Sequence, residues 1–186
     1  MFDQDQPVGL PVDPEQERLQ NWLREGKERQ FRQQLQAGTR LLQQGKAKEA
    51  LSLLKRAHEL RPEDEDAALN LGGAYLMSGR HREAIPVLEQ AIQRTPDSAR
   101  LWISLGAAYL GNPILADDEQ QLKALSAFQR ALQIDPFAPS AAYNMGLVHR
   151  DRGEIDLAIA AFRRALKSDP GDQDARRLLE RLERER

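Results

Sequence analysis

The chain contains no cysteine, which excludes disulfides, thiolate nucleophiles and cysteine-ligated zinc outright. Aromatic residues make up only 5% of the 186 positions. Ala, Leu, Gln, Glu and Arg dominate instead, and these lose little conformational freedom on entering a helix. No run approaches the ~18 consecutive apolar residues of a membrane helix. A formal net charge of −2 supplies no large positive field, which argues against a protein that lives by neutralising phosphates. The opening residues, MFDQDQPVGLPVDPEQE, are acidic and lack the basic start and apolar run of a secretory signal, so the cytoplasm is the default expectation.

What the chain does have is a period. Residues 67–96 align with 141–170 so that Gly72, Gly79, Ala84, Ala91 and Pro96 match Gly146, Gly153, Ala158, Ala165 and Pro170. Residues 31–62 repeat the scheme with Gly38, Gly45, Ala50, Ala57 and Pro62. Pro62 to Pro96 and Pro136 to Pro170 are each 34 residues by numbering, whereas Pro96 to Pro136 is 40, so one unit holds six surplus residues. The first glycine of each unit lets two helices approach closely. The second supplies a left-handed corner, and the proline stops the second helix. Each unit reads as a helix hairpin whose apolar face needs stacked neighbours.

The run WISLGAAY at 102–109, followed by Ala124, Phe128, Ala131 and Pro136, resembles the Trp, Leu, Gly, Tyr, Ala, Phe, Ala, Pro series of the tetratricopeptide repeat (TPR) family. His149 and Leu41 stand where the third unit has Tyr109, a site that needs only a bulky wedge between helices. The resemblance implies an all-α, right-handed superhelical solenoid of four hairpins, at 31–64, 65–98, 99–138 and 139–172, covering about three quarters of the chain. It also implies a concave face lined by the first helix of every repeat. Residues 1–13, held extended by Pro7 and Pro11, read as a flexible segment, and 14–30 as a separate N-terminal helix with Gly26 as a break before the first repeat. Leu19, Trp22 and Leu23 give that helix a short apolar face. It is expected to cap the first repeat, the alternatives being a seat in the chain's own or a neighbour's groove, or availability to a partner. Residues 173–186 read as a C-terminal capping helix with Ala175, Leu178, Leu179 and Leu182 on one face.

In the surplus stretch, Gly111, Asn112 and Pro113 stop the first helix early, and Asp117 or Asp118 caps a second helix begun early. A tolerated insertion is the expectation, since loop length costs only about 0.6 kcal/mol per doubling. The competing readings are a partner-contacting knuckle at 112–119 and, least favoured, a metal site at Asp117, Asp118 and Glu119.

The resemblance places concave-face residues at repeat positions 2, 5, 9, 12 and 13. Those positions nominate Leu35, Leu69, Leu76, Met77, Ile103, Leu110, Tyr143 and Leu147 as an apolar floor, with Arg32, Arg100 and Arg150 as carboxylate anchors; Asn70 and Asn144, at position 6, are candidate peptide-backbone contacts. The Lys and Asn pattern of the TPR subclass that grips chaperone C-termini is matched only by Asn70 and loosely by Arg100, which disfavours that ligand. His58, His81 and His149 occupy unrelated repeat positions without a Ser or Cys partner, with His58 and His81 expected at the surface and His149 half-buried. The glycines recur at the repeat period instead of forming a phosphate loop. No enzyme activity, metal or cofactor is therefore expected. The expected function is a scaffold or adaptor that binds a peptide segment of a partner protein in the groove. Chaperone-like masking of a hydrophobic segment and self-assembly through Trp22, Leu23 or the end repeats are the alternatives, and RNA binding would need a basic concave face.

Overall fold

The computed structural model describes residues 13–111 and 116–185. Among these residues nine helices follow one another: α1 (Pro14–Gln43), α2 (Ala47–Leu60), α3 (Glu65–Met77), α4 (His81–Arg94), α5 (Ala99–Leu110), α6 (Asp118–Ile134), α7 (Pro139–Asp151), α8 (Ile155–Ser168) and α9 (Gln173–Glu185). They pair as hairpins α1/α2, α3/α4, α5/α6 and α7/α8, and α9 lies against α8. Successive first helices (α1 with α3, α3 with α5, α5 with α7) also touch, while no two second helices make comparable contact. The first helices therefore crowd together on an inner wall and the second helices fan outward. This is an all-α repeat solenoid.

The corners follow from local chemistry. Gly45, Gly79 and Gly153 have φ of 75°, 72° and 73°, the left-handed conformation that side chains disfavour. At the first corner the Gly45 N–H donates to the Leu42 carbonyl and the Lys46 N–H to the Leu41 carbonyl, each at 2.9 Å, closing a Schellman motif. Pro62, Pro96, Pro136 and Pro170 lie two residues beyond the last residues of α2, α4, α6 and α8. Within each hairpin the other glycine admits a large side chain. A Cβ placed on Gly106 would lie 2.5 Å from the Phe128 ring, and one on Gly146 2.7 Å from Phe162. Leu54 and Leu88 fill the same role over Gly38 and Gly72. One apolar cluster runs through α2 to α5 and a second through α5 to α9, with Trp102 and Tyr109 packed against both.

The N-terminal region departs from the sequence reading. Residues 14–30 and the first helix of the first hairpin form one uninterrupted helix, α1. A glycine inside a helix costs only about 1 kcal/mol relative to alanine. Gly26 is outweighed by the docked C-terminal half of α1, a Pro14 start, an Asp13 side chain accepting from the Glu15 N–H at 3.0 Å, and the Glu28–Arg32 ion pair at 2.6 Å. The N-terminal half of α1 meets the first repeat through Glu28, which pairs with Arg61, and through a cleft that Leu23 and Lys27 line with Leu60 and Glu63, while its apolar side chains stay open. Leu19, Trp22 and Leu23 are 58%, 63% and 48% exposed. Except for Asp13, the segment 1–13 lies outside the described residues, as do Asn112 to Leu115 of the knuckle.

The surplus residues lengthen α6 to 17 residues, against 14 in α2, α4 and α8. Asp117 caps it with a reciprocal bond to Gln120, and Asp118 pairs with Arg152 across the next corner. Glu119 holds Lys123 at 2.6 Å. The three acidic residues considered for a metal each point to a different partner. Among the described residues no cluster of three potential ligands forms.

Candidate functional site

Every apolar residue nominated for the groove lies on α1, α3, α5 or α7, the helices of the inner wall. Leu35, Leu69, Leu76, Ile103, Tyr143 and Leu147 are half-buried, packed at their bases against the two core clusters. Met77, at the end of α3, stands clear at 59% exposure. Leu110 does not belong to this surface. It is 9% exposed and part of the same cluster as Ala124, Phe128 and Val148. The physical reason is the insertion: α6 begins six residues before Ala124, whereas α4 begins three before Ala84, so nearly one extra helical turn shields this corner.

The nominated polar anchors already have partners. Arg100 reaches from α5 to Asp66 of α3 at 3.1 Å. Arg150 forks onto Asp151 at 2.8 and 2.6 Å, and Arg32 holds Glu28. Asn70 spends its amide on the Asp66 carbonyl one turn back at 2.8 Å, and Asn144 is half-buried on α7. The Arg100 pair is largely solvated, so it contributes little to folding and can exchange for a ligand carboxylate at little cost.

Sequence reasoning missed the far end of the wall. A cleft of about 420 Å³ lies between α7 and α9, lined by Tyr143, Leu147, Arg150, Arg177, Leu178 and Arg181, with Asp174 at its edge. Counting α9 from residue 173 puts Asp174, Arg177 and Arg181 at positions 2, 5 and 9, the register used for the other repeats. Reading α9 as a cap alone hid that signal. Tyr143 meets Phe162 edge-on, with ring centroids 5.7 Å apart. Burial, then the carboxylates of Asp174 and Asp172, push its phenol above the ordinary value.

A larger opening, about 750 Å³, lies at the corners of the second and third hairpins between His81, Glu89, Tyr109, Gln120 and Lys123. The Tyr109 hydroxyl donates to Glu89 Oε1 at 2.7 Å, and burial followed by that bond raises its pKa to about 12. A raised phenol pKa stabilises the fold below the unfolded value near 10 and loses that contribution as pH climbs toward 12. Alkaline absorbance titration is therefore expected to show late phenolates for Tyr109 and Tyr143, of which the Tyr109 step moves earlier in Glu89→Gln. An unchanged Tyr109 step would break the assignment. His58 and His81 are half-buried, not at the surface as expected, and burial followed by the charge of Arg94 lowers the pKa of His58. His149, half-buried as anticipated, contacts Glu154 at 2.6 Å.

Comparison with known proteins agrees with this architecture. Family models described as tetratricopeptide repeat match residues 41–108, 78–139 and 122–173. A thermophilic TPR protein from Thermus thermophilus is 27% identical with a TM-score of 0.71, over 82% of this chain and 80% of its own. A MamA structure is 28% identical with a TM-score of 0.65, over 78% and 81% respectively. MamA from Desulfovibrio magneticus, from residue 41 to its end, is 25% identical with a TM-score of 0.65, over 77% of each chain. No curated protein matches the chain. No described helix is long and apolar enough to cross a membrane.

Proposed function

Because the chain belongs to the tetratricopeptide repeat family, we propose that it works as an adaptor whose inner wall binds a peptide segment of another protein. The repeats make it a protein-interaction scaffold in general terms. The finer reading rests on one observation: a row of half-buried apolar side chains, Leu35, Leu69, Ile103, Tyr143 and Leu147, crosses four helices, with Met77 projecting beside it. Large apolar patches on a protein surface usually mark a binding site.

The mechanism is preorganisation. The wall is built from helices already held by their neighbours, so a ligand pays for its own ordering and little of the protein's. Apolar ligand side chains cover the row, and acidic ones compete for Arg100 and Arg150. Met77→Asp in the full chain is expected to lower affinity for peptides selected from a random display library at least tenfold, with the helical circular dichroism unchanged. Equal affinity in Met77→Asp and in Leu147→Asp would overturn the reading. Selected peptides that share apolar character and no sequence pattern would point to chaperone-like masking.

A further inference from the structure

We propose that the overhanging half of α1, residues 14–30, is a ligand for the inner wall of a second copy of this chain. The inference rests on the wall being a peptide-binding surface and names its occupant.

The overhang has the form of a ligand. It carries three of the large apolar side chains most exposed among the described residues, Leu19, Trp22 and Leu23, at the spacing of one helical face. Nine residues, two and a half turns, separate Trp22 from the buried Phe31, so the indole points away from the side that packs on α2, while Leu23 lies at the rim of a cleft shared with Leu60. The helix is continuous through Gln43, which stops the overhang from turning back onto its own inner wall. The overhang can therefore reach an inner wall only on another molecule.

Charge complementarity selects the groove and the direction. Glu15 precedes Leu19 by four residues on the same row, and Asp13 and Glu17 share its end of the helix. The inner wall ends in the cleft of Arg150, Arg177 and Arg181. Each of these arginines is held by a carboxylate on its own helix, Asp151, Asp174 and Glu185; the Arg177 and Arg181 pairs are solvated and exchange readily, while the Arg150 pair is partly buried. With Glu15 over that cleft, Trp22 lies about 10 Å further along the docked helix. That is about one interhelix spacing. It brings the indole over Ile103 and Tyr143. The two surfaces differ, so the contact is heterologous, and assemblies grow past the dimer unless two copies exchange overhangs.

The test is light-scattering mass of the full chain across concentration. The wild-type mass is expected to rise with concentration. Trp22→Glu is expected to remain monomeric, as is the double variant Arg177→Glu/Arg181→Glu. All three side chains are largely exposed, so folding is spared. Each variant lacks one of the two surfaces, so mixing them is expected to give a one-to-one complex. A monomeric wild type, or a mixture that forms no complex, would overturn the inference. So would an arginine double variant that associates like wild type while Trp22→Glu does not, because the overhangs would then be pairing with each other. If the wild type is monomeric yet Met77-dependent peptide capture persists, this inference falls and the adaptor reading stands. If capture is absent too, both fall.

Discussion

Phe128→Ala is expected to cost about 3–5 kcal/mol and to split the urea unfolding of this protein into two transitions. Phe128 is fully buried, and its ring occupies the space that a Cβ on Gly106 would need. Removing the ring leaves a cavity at the tightest contact of the third hairpin, between helices whose backbones cannot close it without moving. The lesion lies in the second apolar cluster, which meets the first through Trp102 and Tyr109. In a stacked array each hairpin is stabilised chiefly by its neighbours. The α5–α9 half is therefore expected to unfold at lower urea while α2–α4 persists. Gly106→Ala makes the complementary test. Its new methyl meets a rigid ring at 2.5 Å, so something must shift. In the double variant the alanine occupies space the ring vacated, and the combined loss is expected to fall about 1–3 kcal/mol short of the sum. Additive losses, or a single unshifted transition in Phe128→Ala, would show that the ring does not depend on the glycine.

The glycine, alanine and proline period was legible because each of those residues answers a demand made by the backbone. A corner needs positive φ, a crossing needs no Cβ, and a helix end needs a residue that cannot donate. These demands recur at 34 residues by numbering, or 40 across the unit with the insertion, and leave a mark in the sequence. The early start of α6 was legible for a similar reason, because Asp117 and Gln120 form a local capping box. The N-terminal helix was not. Gly26 reads as a break when taken alone, and only the packing of the far half of α1 decides that the helix runs through it. Partnering of the arginines was equally invisible: Arg100 finds Asp66 across 34 positions, a contact made by stacking and not by local sequence. The basic end of the wall was written in the register of α9, but an amphipathic helix at the end of an array can serve both as cover and as wall.

Leu110 and Met77 occupy neighbouring places in the repeat register, positions 12 and 13, and their substitution by aspartate is expected to give opposite results. Leu110→Asp replaces a side chain buried in the second cluster with a carboxylate. Loss of the leucine alone costs about 2–5 kcal/mol, and each unit by which burial raises the new carboxyl's pKa adds about 1.4 kcal/mol at neutral pH. A total of at least about 4 kcal/mol is expected, enough to melt α5 to α9. The pH dependence follows from the raised folded-state pKa. The protonated carboxyl is the better-tolerated form, so the deficit relative to wild type shrinks as pH falls toward 4 and grows as pH rises to 7. Met77→Asp changes a side chain that mainly meets solvent, and its stability is expected to stay within about 0.5 kcal/mol of wild type at both pH values. Urea midpoints at pH 4 and 7 read both effects. If Leu110→Asp unfolds with the wild-type midpoint, the longer α6 does not shield that corner and position 12 belongs to the open wall in the third hairpin.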